Sequence, residues 1–145
     1  MKNNYEQEYA IHAEISRRYD ESGCDPEVGK ICRAEHDALM KSIEAKGAAY
    51  AKGFRYYDEM KFRENTRIVI DECIFDDKAE DFINGLRECG FEEFVYAGGW
   101  TGSMELLWRF TQCGCRLGGM VEVNGAYKSF SAEKWEKKHG ILITL

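Results

Sequence analysis

The sequence predicts an α/β protein with a βαβαβ core and a mainly parallel sheet, in two or three layers, preceded by an N-terminal helical hairpin and followed by a C-terminal edge strand. Three observations carry this reading. Cys89-Gly90 and Cys113-Gly114 each close a short amphipathic stretch. Each is followed at once by an apolar, β-favouring run, at residues 91–97 and 115–123, and a third such run at 67–75 precedes the first stretch. The repeat has a step of about 24 residues, and crossovers this short, each holding one helix, are expected to leave neighbouring strands parallel. Parallel strands gather their carboxyl ends on one edge, where ligands commonly bind.

Composition frames the rest. With 145 residues, 44% hydrophobic and 13% aromatic, the chain is sized for one domain with a real core, the helices at 1–62 and the α/β core at 66–145. One proline and no low-complexity linker mark no further boundary. No early apolar block resembles a signal peptide, and no apolar run approaches the roughly 20 residues of a membrane span, so a cytoplasmic protein is expected. Six cysteines in such a chain read as free thiols, mostly small buried apolar groups. Cys113 and Cys115 lack the two-residue gap of a zinc pair, and no metal or other cofactor is expected. A net charge of −6 and a pI near 5.2 argue against direct nucleic-acid binding. They suit a solvated surface, or an acidic surface that mimics nucleic acid to a basic partner.

The elements follow in order. Tyr5, Tyr9, His12, Ile15 and Tyr19 recur at helical spacing, and Ser22-Gly23 ends that helix. Asp25-Pro26 begins the next, aspartate as cap and proline at the first helical position. Val28, Ile31, Leu39, Ile43, Gly47, Tyr50, Phe54 and Tyr57 extend one stripe over about 30 residues, predicting one long helix with candidate breaks at Gly47 and Gly53. Small residues there permit close packing. The alternative is a projecting hairpin that offers Tyr50, Phe54, Tyr56 and Tyr57 to a partner or a second copy.

In the core, Ile68, Ile70, Cys73 and Phe75 belong to the first strand, and Asp76-Asp77 with Glu80 reads as a capping box. Ala79, Phe82, Ile83 and Leu86 form the buried face of the next helix. Gly98-Gly99-Trp100-Thr101-Gly102-Ser103 then joins strand to helix. Its glycines and hydroxyls suit an anion or phosphate at a helix start, and equally a sharp turn capped by Thr101; the spacing matches neither the dinucleotide fingerprint nor a Walker loop. Trp100 is either a lid over the core or an outward contact. Leu106, Leu107, Trp108 and Phe110 surround the following helix and predict its burial. Asn124-Gly125 reads as a tight turn, Tyr127, Phe130 and Trp135 punctuate a polar stretch, and residues 141–145 add the final strand.

No catalytic constellation emerges. His12, His36 and His139 are scattered, and Asp76, Asp77 and Glu122 with Asn124 are the one set able to gather oxygen ligands for magnesium at the strand ends. From Arg67 onward the chain nevertheless resembles a family of small uncharacterised proteins of gut Firmicutes, often carried on plasmids and conjugative elements. The likeness rests on Phe94-Val95-Tyr96, Trp100 to Ser103, Trp108, Gly114-Cys115-Arg116-Leu117-Gly118-Gly119-Met120-Val121-Glu122-Val123 and Asn124-Gly125-Ala126-Tyr127-Lys128. It covers a little over half the chain. Members show a tryptophan followed by small hydroxyl residues here, from which Gly102 departs. The resemblance implies a bacterial mobile-element setting, in which small acidic proteins act as inhibitors of host defence, anti-CRISPR proteins among them, by binding a protein or ribonucleoprotein. The expected function is therefore a non-enzymatic binding protein with its contact surface on the long helix and the Trp100 loop. A small nucleotide-binding or nucleic-acid-processing enzyme using that loop is the alternative.

Overall fold

The computed structural model describes residues 5–145 as five α-helices and a four-stranded sheet. Helices α1 (Tyr5–Glu21), α2 (Pro26–Glu44) and α3 (Ala48–Phe62) come first. Then follow β1 (Val69–Ile70), a 3-10 turn at Asp76–Lys78, α4 (Ala79–Glu88), β2 (Glu93–Tyr96), α5 (Ser103–Gln112), β3 (Arg116–Ser129) and β4 (Lys134–Thr144). No helix among the described residues is long and apolar enough to cross a membrane.

The sheet order is β1-β2-β4-β3, and its direction corrects the sequence reading. Only β1 and β2 are parallel; β4 runs antiparallel to both β2 and β3, so the core is not mainly parallel. β4 is also no edge strand, because it enters between β2 and β3. β1 contracts to Val69–Ile70, and Asn124-Gly125 lies inside β3 rather than in a turn. The hairpin instead turns at residues 130–133, where Glu133 takes φ 50°.

Asn124 has a different task. The Asn65 side chain donates to the Asn124 carbonyl at 3.0 Å and accepts from its backbone N–H at 2.9 Å. The Asn124 side chain in turn donates to the Arg63 carbonyl. The register shifts between Asn124 and Lys128, next to this outward-bonded backbone, an irregularity of the kind that locally increases strand twist. Val123 packs with Val69 and Val95, although two strands separate β3 from β1.

The opposite face holds the main core. Ile70, Phe94, Tyr96 and Ile143 meet Ile83 and Leu86 of α4, Leu106 and Phe110 of α5, and Tyr56 of α3. Phe110 packs edge-on to Phe94 and Tyr96 at 5.7 and 5.9 Å. Gly90 (φ 80°) and Gly114 (φ 86°) end α4 and α5 as their sequence positions require. Phe91 N–H reaches the Leu86 carbonyl and Cys115 N–H the Phe110 carbonyl, while each glycine N–H bonds three residues back, the paired bonds of a Schellman ending.

The N-terminal stripe is two helices. Asp25 caps α2 through Glu27 and Val28 N–H, with Pro26 at the first helical position. The chain then breaks at residues 45–47, so that Leu39 and Ile43 fold back on Tyr50 and Phe54. The expected capping box is absent: Lys78 flanks α4 without a side-chain cap, and Asp76-Asp77 form the 3-10 turn instead.

Candidate functional site

The carboxyl ends of β1 and β2 lead into residues 71–78 and 97–102, which form one end of the molecule. The glycine-rich joint there is filled by its own side chains. Trp100 Nε1 donates to the Tyr96 hydroxyl at 2.9 Å, that hydroxyl lies 3.0 Å from Ser103 Oγ, and Ser103 Oγ reaches the Gly98 carbonyl. A Cβ on Gly98 would stand 2.3 Å from the Tyr96 hydroxyl, and one on Gly102 2.0 Å from the indole of Trp100. These two glycines therefore make room for neighbouring rings, the close approach for which glycine is needed. Thr101 is exposed and does not cap α5, whose flanking residue is Gly102, and Gly99 is exposed.

Trp100 is half-buried, one side on the core and the other against Phe75, edge-on at 6.0 Å. Phe75 is 64% exposed, Met104 77% and Trp108 50%. The reason lies in the α5 spacing: Leu106, Leu107 and Phe110 turn inward, which leaves Met104 and Trp108, four apart, on the outer face. The expected burial of Trp108 is thus corrected. The Arg109 guanidinium lies 5.2 Å from the Trp108 ring and 3.7 Å from Asp76, tying α5 to the 3-10 turn. Asp77, Glu80 and Glu105 are exposed, and Lys78 and Arg87 are the cationic residues between Asp76 and Arg109, with Arg87 and Arg109 lining the same surface as Asp77 and Glu80.

The aromatic residues of the long stripe do not share this surface. Tyr50 and Phe54 are buried and Tyr57 is partly so. All three surround the ring of Tyr5, at 4.7, 6.1 and 5.9 Å, joining α1 to α3. Tyr50 donates its hydroxyl to buried Glu8, which also receives Lys46 Nζ at 2.6 Å. They are core, and the correction follows from the break at residues 45–47, which turns both halves of the stripe onto one cluster. Tyr56 is likewise buried and donates to Glu72.

Two of these tyrosines should make the protein alkali-sensitive. Burial raises the pKa of Tyr5, with Cys89 beside it adding to the rise, and burial then the bond to Glu72 raises that of Tyr56. The fold holds both neutral, whereas the unfolded chain ionises them near the ordinary value of about 10. Their contribution is complete below that pH and declines above it, by up to about 1.4 kcal/mol per pH unit per tyrosine. Urea unfolding at pH 9 and pH 11 should show a smaller loss of stability in Tyr56→Phe than in the parent chain; equal losses would contradict this account.

The residues considered for magnesium stay apart. Asp76 pairs with Arg109, Glu122 lies 3.7 Å from His139 across the hairpin, and Asn124 is bonded to Asn65. Among the described residues no group of three or more His, Cys, Asp or Glu side chains is placed to hold a metal ion. His12 bonds Asp58 at 2.9 Å and its ring lies tilted against His36 at 5.4 Å, joining the three N-terminal helices rather than serving the strand ends.

One feature had no counterpart in the sequence reading. A cavity of about 410 Å³ opens between α3 and α4, behind residues 72–75. Tyr56, Ile74, Phe82 and Leu86 supply apolar walls, and Lys52, Glu72, Lys78 and Asp81 stand around it.

A family model described as a domain of unknown function (DUF7698) matches residues 52–145, and the chain belongs to that family. The match begins inside α3 and leaves α1 and α2 outside it. No curated protein and no solved structure matches the chain.

Proposed function

We propose that this member of the family is a non-enzymatic binding protein whose contact surface is the end formed by Phe75, Trp100, Met104 and Trp108, with a basic protein surface as its partner. One observation carries the reading. Phe75 and the half-buried Trp100 meet edge-on, Met104 and Trp108 stand exposed on the helix that follows Trp100, and Trp100 is fixed by its own hydrogen bond. Pre-fixed aromatic anchors lose little conformational freedom on binding and dominate interface energetics. Asp77, Glu80 and Glu105 around them, on a chain of net charge −6, favour a cationic partner.

The finer reading is a cytoplasmic inhibitor of host defence carried by a mobile element, acting on the basic surface of a nuclease or its ribonucleoprotein. It rests on the resemblance of residues 67–128 to proteins of that setting, together with this acidic, aromatic face. The contact-surface reading is preferred to the nucleotide-binding alternative because the Trp100 indole and the Ser103 hydroxyl of the glycine-rich joint are already engaged, with Tyr96 and the Gly98 carbonyl.

Capture from a bacterial lysate by the parent chain, by Phe75→Ala/Trp108→Ala and by Tyr127→Ala/Phe130→Ala tests the proposal. A buried hot-spot aromatic costs about 2 kcal/mol or more on truncation, so the first variant should lose its partner by at least about 30-fold. The hairpin variant should keep it, nuclease treatment should not release it, and salt should weaken it. Equal capture by both variants refutes the surface. A concentration-dependent dimer abolished by Phe75→Ala/Trp108→Ala would replace the foreign partner with a second copy.

A further inference from the structure

The cavity between α3 and α4 is independent of that contact surface except for Phe75, which borders both. Its volume, about 410 Å³, falls within the range of roughly 300–1,000 Å³ typical of small-molecule sites. Apolar side chains make up much of its lining, and two polar groups on its walls are already engaged. Tyr56 donates its hydroxyl to Glu72, and Cys89 donates its thiol to the Ala49 carbonyl at 3.2 Å. A ligand therefore enters with its apolar part inward and keeps its polar groups at the mouth.

The mouth carries both signs of charge. Glu72 is shared by Tyr56, Lys52 at 3.9 Å and Arg55 at 3.6 Å. Lys52 Nζ also lies 5.8 Å from the ring centres of both Tyr56 and Phe82, at the upper limit of a cation–π contact, above the apolar walls. Lys78 and Asp81, three residues apart at the start of α4, have no side-chain ion pair among the described residues. One unmatched cation and one unmatched anion remain beside an aromatic-lined opening.

We propose that this cavity binds a small aromatic zwitterion, a free aromatic amino acid, with its ring against the wall that Tyr56 and Phe82 form by packing edge-on at 6.4 Å, its carboxylate at Lys78 and Lys52, and its ammonium at Asp81. An overall neutral ligand leaves no excess charge at the mouth, and each of its charged groups meets the opposite sign at the surface, where desolvation is slight. Gly85 faces the same space: a Cβ there would meet no atom within 4 Å. A larger side chain at this half-buried helix position can extend into the cavity.

The test is isothermal titration of the full chain with L-phenylalanine, 3-phenylpropionate, which lacks the ammonium, and phenethylamine, which lacks the carboxylate. L-Phenylalanine should bind at one site per chain, at least 5-fold tighter than either analogue. Gly85→Phe should abolish binding with thermal unfolding still cooperative, and Gly85→Ala should retain it. Asp81→Asn should reduce L-phenylalanine to the affinity of 3-phenylpropionate. The proposal is overturned if none of the three compounds gives saturable heat, if Gly85→Phe binds as well as the parent chain, or if removing either charge from the ligand leaves affinity unchanged. Lysate capture by Phe75→Ala/Trp108→Ala is read separately, so failure here leaves the contact surface standing.

Discussion

Deleting residues 141–145 is expected to abolish the native fold rather than trim an end. These residues supply the inner half of β4, which pairs with β2 through Thr144, Ile143, Leu142 and Ile141 and with β3 through Thr144, Ile143 and Ile141. Their removal opens a one-strand gap in the middle of the sheet. It also exposes Phe94 and Phe110, both fully buried, and removes Ile143, which is buried as completely between them and the helices. A single buried isoleucine cut to alanine costs about 2–5 kcal/mol, against a total stability of about 5–15 kcal/mol for an ordinary domain. Losing Ile143, its neighbours and two ladders of backbone bonds together exceeds that total. Circular dichroism should show no cooperative melt for the shortened chain, and Ile143→Ala should melt cooperatively but earlier. A shortened protein that melts within a few degrees of the parent would disprove the central placing of β4.

The same strand explains why the fold was only partly legible. The glycine-ended helices, the cap of Asp25 and the apolar faces of α4 and β2 are local features, written within a few residues of where they act. Strand adjacency is not local. The run after Gly114 looks like a third parallel strand because alternation marks which face a residue occupies, not which neighbour it bonds. The neighbour here arrives from the chain end: β4 lies between β2 and β3, which still run in the same direction across the crossover through α5. Its outer half, with Lys134, Glu136, Lys137, Lys138 and His139 around the single aromatic Trp135, carries no apolar alternation. Cross-strand contacts hold it: Lys128 over the Trp135 ring at 5.4 Å, and Lys137 Nζ on the Asn124 side chain at 2.5 Å.

The candidate surface shows a related division. Trp100 was visible as the tryptophan of a strand-to-helix joint, and its neighbourhood proves to be the aromatic end of the molecule. Met104 and Trp108 were legible in principle, since they fall out of phase with Leu106, Leu107 and Phe110 on a helical wheel. Tyr50, Phe54 and Tyr57 misled because aromatic content serves cores and interfaces alike. Their burial depends on α1 folding across α3, a contact between residues about 45 apart in the chain, as between Tyr5 and Tyr50. The cavity left no trace at all, because it is a gap between two helices whose inward faces read as ordinary core.

That seam between α1 and α3 should make one substitution change sign with position. In a helix interior, alanine is favoured over glycine by about 0.8–1 kcal/mol. Gly85→Ala on α4, with no atom within 4 Å of the new methyl group, should show that gain. Gly53→Ala on α3 should show the reverse. Its Cβ would lie 2.2 Å from the Tyr5 hydroxyl oxygen and 2.8 Å from Cys89 Sγ. Tyr5 cannot step aside cheaply: it is fully buried, it donates to the Tyr50 carbonyl at 3.0 Å, and its ring is held by Tyr50, Phe54, Tyr57 and Phe91. Overpacking of this kind costs about 1–3 kcal/mol, enough to outweigh the helix gain, and displacing the hydroxyl also breaks its bond to the Tyr50 carbonyl. Gly53→Ala should therefore melt several degrees below the parent chain and Gly85→Ala at or above it, by differential scanning calorimetry. Tyr5→Phe removes the clashing oxygen, so Gly53→Ala combined with Tyr5→Phe should be less destabilised than the two single changes summed. Additive losses would mean that the clash is relieved elsewhere, and a Gly53→Ala chain as stable as Gly85→Ala would mean that α1 does not pack against α3 as described.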